Sequence, residues 1–273
     1  MKRISLIFIL LSCMISGYVT GQSGRENISA TLAGMFGRAN AAREDSVKLG
    51  INDSIVAIID GYARSDSVFD RGIKGVKYLG QISSPDSKLK ILTWNLMLND
   101  SAGRYYCYFI HRSGKVNSVR ELTTDYHADP VRTDIEYNED NWYGALYYDV
   151  RPVKAGDRTV YMLLGIDYGN PSVTRKVIDV LNFTPDGNIT FGRKWFVSGN
   201  EVKYREVLEY SSTAIASLKF LSDKVIVFDH LVPFEPRYSG KKEFYGPDFS
   251  YDSYRFEKGL WRLTVNIDVR NRK

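Results

Sequence analysis

Disulfides are excluded first. The chain has 273 residues and two cysteines, Cys13 and Cys107. Cys13 falls in an N-terminal leader, so Cys107 is left alone and no internal disulfide is expected. An exported chain of this kind takes its stability from packing, even in an oxidising compartment. Histidine is nearly absent too, at three residues, which leaves little room for imidazole chemistry. The motifs of familiar catalysis are missing: there is no Gly-x-Ser-x-Gly elbow, no His-Glu-x-x-His, no Cys-x-x-Cys, no phosphate loop and no Gly-x-Gly-x-x-Gly. A basic block is missing as well. The 37 lysines and arginines are scattered among 32 acids, which argues against nucleic acid as a partner.

What is present begins with the leader. Lys2 and Arg3 precede the apolar run Ile4–Val19, and Thr20-Gly21-Gln22 follows. A charged start, a short apolar core and a small-residue exit form the layout of a secretory signal peptide. Cleavage is expected between Gly21 and Gln22, and residues 1–21 are assigned to the signal peptide. Ser12, Ser16 and Gly17 interrupt the run and no basic anchor follows it, so a retained membrane helix is disfavoured. No transmembrane segment is expected after cleavage, and the address is periplasmic or secreted. Leu10-Leu11-Ser12-Cys13 resembles a lipoprotein cleavage box, which makes a lipid anchor through Cys13 the minority reading. The apolar run continues past Cys13, where a lipoprotein turns polar. The formal charge of +5 falls to +3 once Lys2 and Arg3 leave.

A mature chain of 252 residues can bury a substantial core. Its 19 tyrosines, 13 phenylalanines and 4 tryptophans suit half-buried pleated surfaces. Residues 22–75 read as a helical segment and connection. Ala30–Ala42 is helical in composition, and Asn52-Asp53-Ser54 reads as a cap for a helix over Ile55–Tyr62. Residues 76–273 read as an antiparallel β domain. Its expected strands include Val76–Ile82, Leu89–Leu98, Arg104–His111, Trp142–Val150, Thr159–Ile166, Arg175–Phe183, Ile189–Phe196, Tyr204–Tyr210, Ala214–Phe220, Lys224–Asp229, Tyr251–Phe256 and Leu260–Val269. The connections are short and lack crossover helices, so neighbours should be antiparallel. The expected fold is mainly β, an antiparallel meander folded as a sandwich or open barrel. A propeller is the minority reading, because no signature residue recurs in register.

Several strings carry a resemblance. Ser84-Pro85-Asp86, Ile91-Leu92-Thr93-Trp94-Asn95, Trp142-Tyr143-Gly144-Ala145-Leu146-Tyr147-Tyr148, Phe228-Asp229-His230-Leu231 and Tyr245-Gly246-Pro247-Asp248-Phe249-Ser250-Tyr251-Asp252 resemble a family of exported, uncharacterised Bacteroidetes proteins. The likeness covers most of the mature chain. It implies a bacterial envelope address and carries over no activity and no catalytic residue. Four tripeptides that begin Asp45-Ser46, Asp53-Ser54, Asp66-Ser67 and Asp100-Ser101 look like the O-glycosylation acceptor of that phylum. They read equally well as cap and turn chemistry.

The densest polar constellation is C-terminal. Asp229 and His230 end an apolar strand, and Asp248 and Asp252 sit in an expected loop crowded by Phe244, Tyr245, Phe249, Tyr251 and Tyr254. Carboxylates beside a histidine can bind a cation or act as acid and base. The alternative is that the acids form turns and His230 caps a strand, with Asp248 and Asp252 bonded to loop amides. The second account leaves no catalytic, cofactor-binding or metal residue, and no cofactor. Asp186 and Gly187 form a turn that lacks the alternating acids of a calcium loop. Cys107, between Tyr106 and Tyr108, reads as a buried small hydrophobe rather than a nucleophile served by His111 or His127. Two function classes follow. One is a non-enzymatic envelope protein that binds a protein or glycan partner through an aromatic-rich β surface. The other is a periplasmic hydrolase acting on glycans or peptides with Asp229, His230, Asp248 and Asp252 at its centre.

Overall fold

The computed structural model describes residues 23–114 and 116–267. The leader, its cleavage point and Cys13 lie outside the described residues. The architecture follows from strands that are apolar on both faces. β1 (Gly80–Ser83), β2 (Leu89–Met97), β3 (Gly103–Ser113) and β4 (Val116–Asp125) form an antiparallel sheet in that order. Along β2 and β3, Leu92, Trp94, Tyr106, Tyr108 and Ile110 point one way, and Ile91, Tyr105, Cys107 and Phe109 the other. Period-two alternation thus serves two separate cores.

The first core is closed by two helices, α1 (Ser23–Ala41) and α2 (Asp45–Ala63). Leu32, Phe36 and Ala39 on α1 and Ile55, Ile59 and Tyr62 on α2 recur at four- and three-residue steps and pack on the Trp94 face. α2 runs through Asn52-Asp53-Ser54, which therefore is not a cap. Instead the Trp94 indole N–H donates to the buried Asn52 Oδ1 at 2.9 Å. A tertiary hydrogen bond has overridden the local preference of Asn for helix ends. Lys90 also faces the helices. Its ammonium donates to the Tyr62 hydroxyl at 2.7 Å and to the carbonyls of Val68 and Arg71, tying the segment after α2 to β2.

The second core lies between this sheet and the next. β5 (Tyr137–Asn138), β6 (Leu146–Ala155), β7 (Arg158–Asp167), β8 (Val173–Phe183) and β9 (Ile189–Phe191) form the second sheet in the order β5-β9-β8-β7-β6. β10 (Phe196–Ser198) and β11 (Glu201–Lys203) leave for a third sheet, and β12 (Glu206–Ser211) returns to pair with the first half of β8. β13 (Leu218–Ser222), β14 (Val225–Pro233), β15 (Tyr245–Glu257) and β16 (Leu260–Ile267) complete the third sheet, ordered β11-β10-β16-β15-β14-β13. The middle sheet is buried on both faces. Tyr161, Leu163, Val177 and Leu181 face the first sheet; Met162, Leu164, Ile178 and Val180 face the third. This is why 160–164 and 177–181 read as near-continuous apolar runs.

The fold is therefore mainly β and largely antiparallel, a stack of one helical layer and three sheets. Among the described residues the sheets do not close into a barrel, and sheets of four, six and six strands are not a repeated blade. One pair departs from the antiparallel expectation: β10 runs parallel to β16, with Phe196 opposite Trp261. β4 was not anticipated from sequence. It is an edge strand with Leu122 as its buried apolar anchor, and Thr, Asn, Arg and Glu fill much of the rest. The segment expected as a loop over Tyr245–Asp252 is the first half of β15.

One ion pair inside the stack has no solvent contact. Arg205 and Asp179 are both fully buried, with Arg205 Nε donating to Asp179 Oδ2 at 2.8 Å. The other guanidinium donors reach the carbonyls of Arg132, Ile135 and Phe191. Tyr143 donates to the same carboxylate at 2.9 Å. Arg205 thereby fastens the 126–145 connection to the middle sheet.

Candidate functional site

The four polar residues singled out at the C-terminal end are positioned by two neighbouring bulges. Between β14 and β15, Asp229 pairs with Tyr251 and Leu231 with Pro247, so His230 faces the three residues Asp248, Phe249 and Ser250. Between β15 and β16, Tyr251 pairs with Ile267 and Ser253 with Thr264, so Asp252 faces an extra residue on β16. Phe249 at φ 70° and Asn266 at φ 53° take up the turn of the chain. Bulges of this kind bend strands and re-aim side chains.

The re-aiming brings His230 and Asp252 together, with Nδ1 and Oδ2 2.8 Å apart. The second Asp252 oxygen accepts the Asn266 amide at 3.0 Å. Asp229 accepts the Ser217 amide at 2.8 Å. Asp229, His230 and Asp252 line one cavity of about 200 Å³ between the third sheet and β12. Asp248 does not line it. It is exposed and accepts the Ser250 amide at 3.0 Å and hydroxyl at 2.7 Å, bonds that hold its carboxyl below the usual carboxylate range. The structure therefore unites three of the four residues and leaves the fourth outside, pinning the bulge.

Sequence reasoning missed the opposite wall. Lys203 and Glu206 line the same cavity, with Lys203 Nζ 3.2 Å from the Glu206 carboxylate. Tyr254 donates its hydroxyl to Glu206 from the core side. Burial first, then the Glu206 charge, pushes the Tyr254 phenol far up. Lys203 ends β11 and Glu206 opens β12, and nothing in the local sequence ties them to β14 and β15. Among the described residues, no group of three His, Cys, Asp or Glu side chains is arranged to hold a metal ion. The His230 ring has one hydrogen bond among the described residues, to Asp252, so no hydroxyl or thiol is bonded to it as a nucleophile would be.

No protein-family model, curated protein or solved structure matches the chain. Function must therefore be read from the chain's own chemistry.

The other candidates resolve simply. Cys107 is fully buried, and burial raises its thiol well above the ordinary range. His111 lies four residues along the same strand, roughly 13 Å away at strand rise, and stacks on Phe183 at 4.0 Å. His127 bonds through Nε2 to the Thr124 hydroxyl at 3.1 Å. The aromatics are core material first: all four tryptophans, Trp94, Trp142, Trp195 and Trp261, are buried. Among the described residues Phe249 is the most exposed aromatic, at 95 % on the tip of the β14–β15 bulge, ahead of Phe234, Tyr168, Tyr78 and Tyr148. No described helix is long and apolar enough to cross a membrane.

Proposed function

We propose that the chain is an exported, non-enzymatic envelope protein that binds a partner protein through the β14–β15 bulge. The observation that carries this reading is Phe249. A phenylalanine at φ 70° bears roughly 1–3 kcal/mol of backbone strain. Here that strain presents the ring almost wholly to water, and Asp248, Ser250 and Asn266 brace the bulge by hydrogen bonds. An exposed aromatic on a braced stretch of backbone, with polar groups around it, has the form of an interface anchor. Most rings pack between layers, and of those that do not Phe249 is the most exposed. The test is crosslinking pull-down from fractionated native host with wild type and Phe249→Ser. A specific partner should be recovered with wild type and lost with the variant. Equal recovery with both would remove the bulge from the interface.

A hydrolase is the second reading, favoured by one observation: His230, Asp252, Asp229 and Glu206 surround a common cavity. In that account the carboxylate of Asp252 orients His230, leaving Nε2 as base for a water. Turnover of a glycan or peptide that His230→Ala abolishes, with folding intact, would place it ahead.

A further inference from the structure

A different part of the surface carries a ligand chemistry of its own. The loop from Gly192 to Trp195 joins β9 to β10 and holds two adjacent cations, Arg193 and Lys194. Its backbone is fixed. Gly192 sits at φ 107°, and a Cβ there would meet the Arg205 guanidinium at 2.6 Å, so only glycine fits. The Gly192 amide donates to the Val180 carbonyl at 2.8 Å and the Arg193 amide to the Tyr204 carbonyl at 2.9 Å. The Trp195 amide is bonded to carbonyls of Arg193 and Lys203. Aromatic faces position the side chains as well. The Arg193 guanidinium lies 4.5 Å from the Trp195 ring centre, and the Lys194 ammonium 5.5 Å from that of Tyr204.

Arg158, at the start of β7, lines the same shallow groove of about 620 Å³. None of these three cations makes an ion pair or side-chain hydrogen bond with another described residue. One acid, Glu136, lines the groove and pairs with none of them. Three cations against one acid in this concavity, none of them ion-paired and two of them set on aromatic faces, leave a net positive potential, which favours anionic ligands. Trp195 is 7 % exposed, with Arg193 on its face and Phe256 at its edge. It has no free face for a nucleobase, as single-stranded nucleic acid requires. Asn182 donates its amide to the Thr190 hydroxyl at 3.5 Å and the Gly192 carbonyl at 3.2 Å, which leaves the Asn182 side-chain oxygen and the Thr190 hydroxyl proton for sugar hydroxyls. We propose that this groove binds an acidic glycan, whose carboxylate or sulfate groups meet Arg158, Arg193 and Lys194. The groove shares no residue with the cavity beside the bulge, so the two readings stand or fall separately.

The test uses the mature chain and four probes: polygalacturonate, dextran sulfate, neutral dextran and a DNA duplex. Calorimetry at about 0.15 M salt, where distant surface charges are screened, reads local contacts. At least one acidic glycan should bind, dextran should not, and the one that binds tells carboxylate from sulfate. The triple variant Arg158→Gln, Arg193→Gln, Lys194→Gln should lose about tenfold or more in affinity and show a flatter salt dependence. A matched triple, Lys74→Gln, Lys219→Gln, Lys224→Gln, removes the same charge elsewhere and should stay within about twofold of wild type. Phe249→Ser should not change glycan binding. If the groove variant unfolds, the single changes Arg158→Glu and Lys194→Glu carry the same comparison. The proposal is overturned if neither acidic glycan binds, if the matched triple loses as much, or if DNA binds as tightly and is weakened equally.

Discussion

Replacing Arg205 by methionine should be among the most damaging single changes to this fold. The guanidinium is fully buried and its partner Asp179 is too, so the substitution leaves a carboxylate without a countercharge in the interior. Breaking a buried pair from one side costs about 3–5 kcal/mol. The carbonyls of Arg132, Ile135 and Phe191 lose their donors in the same step. For a domain of this size the loss corresponds to a fall of roughly 6–20 °C in Tm. The pH dependence identifies the cause. Burial raises the Asp179 carboxyl, and Arg205 offsets part of that rise in the wild type. Without Arg205 the folded pKa stands further above the unfolded value of about 3.9. The unfolded chain then releases its proton first, so stability is lost as pH rises and regained as pH falls towards about 4. Urea unfolding of Arg205→Met at several pH values measures this directly. A loss under about 1 kcal/mol at pH 7, with the same deficit at pH 4.5, would mean that no buried carboxylate is left stranded. The double variant Asp179→Leu, Arg205→Met should recover part of the loss, because the stranded charge is gone while the carbonyls remain unpaired.

Other outcomes follow from the same structure. Asn52→Ala should cost about 1–3 kcal/mol by denaturant unfolding, since the buried Trp94 indole N–H loses its acceptor. Burial lowers the Lys90 ammonium to about 8, and the unfolded lysine holds its proton to about 10.4. Stability should therefore rise with pH between those values, and Lys90→Met should remove that rise. Cys107 should resist thiol reagents until the protein unfolds, because it is fully buried in the second core; rapid labelling of native protein would place that core wrongly. Intact mass of periplasmic protein should show Gln22 or its cyclised form at the N-terminus, and a mass that includes residues 1–21 or a diacylated Cys13 would end the export reading.

The parts of the fold that were legible in the sequence are those where burial is written in periodicity. Leu89–Met97 and Arg158–Asp167 could be drawn from alternation and apolar runs because both faces of those strands are covered. β4 was not legible, because an edge strand with one buried apolar position carries little hydrophobic signal. The first half of β15 was hidden by Gly246-Pro247-Asp248, which reads as a turn yet forms the approach to a bulge. α2 was cut short because Asn52-Asp53-Ser54 resembles a cap, and only the distant Trp94 explains why Asn52 is inside the helix. In the candidate site, Asp229, His230 and Asp252 could be associated because they lie on strands that pair. Lys203 and Glu206 could not, since their place opposite His230 depends on how the third sheet stacks on β12.

A photoreactive phenylalanine analogue at position 249 shows whether Phe249 anchors a partner protein. Irradiation in the native host should yield one discrete adduct from position 249. The same analogue at Leu221, an exposed apolar residue on β13, should give none. An absence of adducts at 249, or the same diffuse products from both positions, would mean that Phe249 anchors no partner.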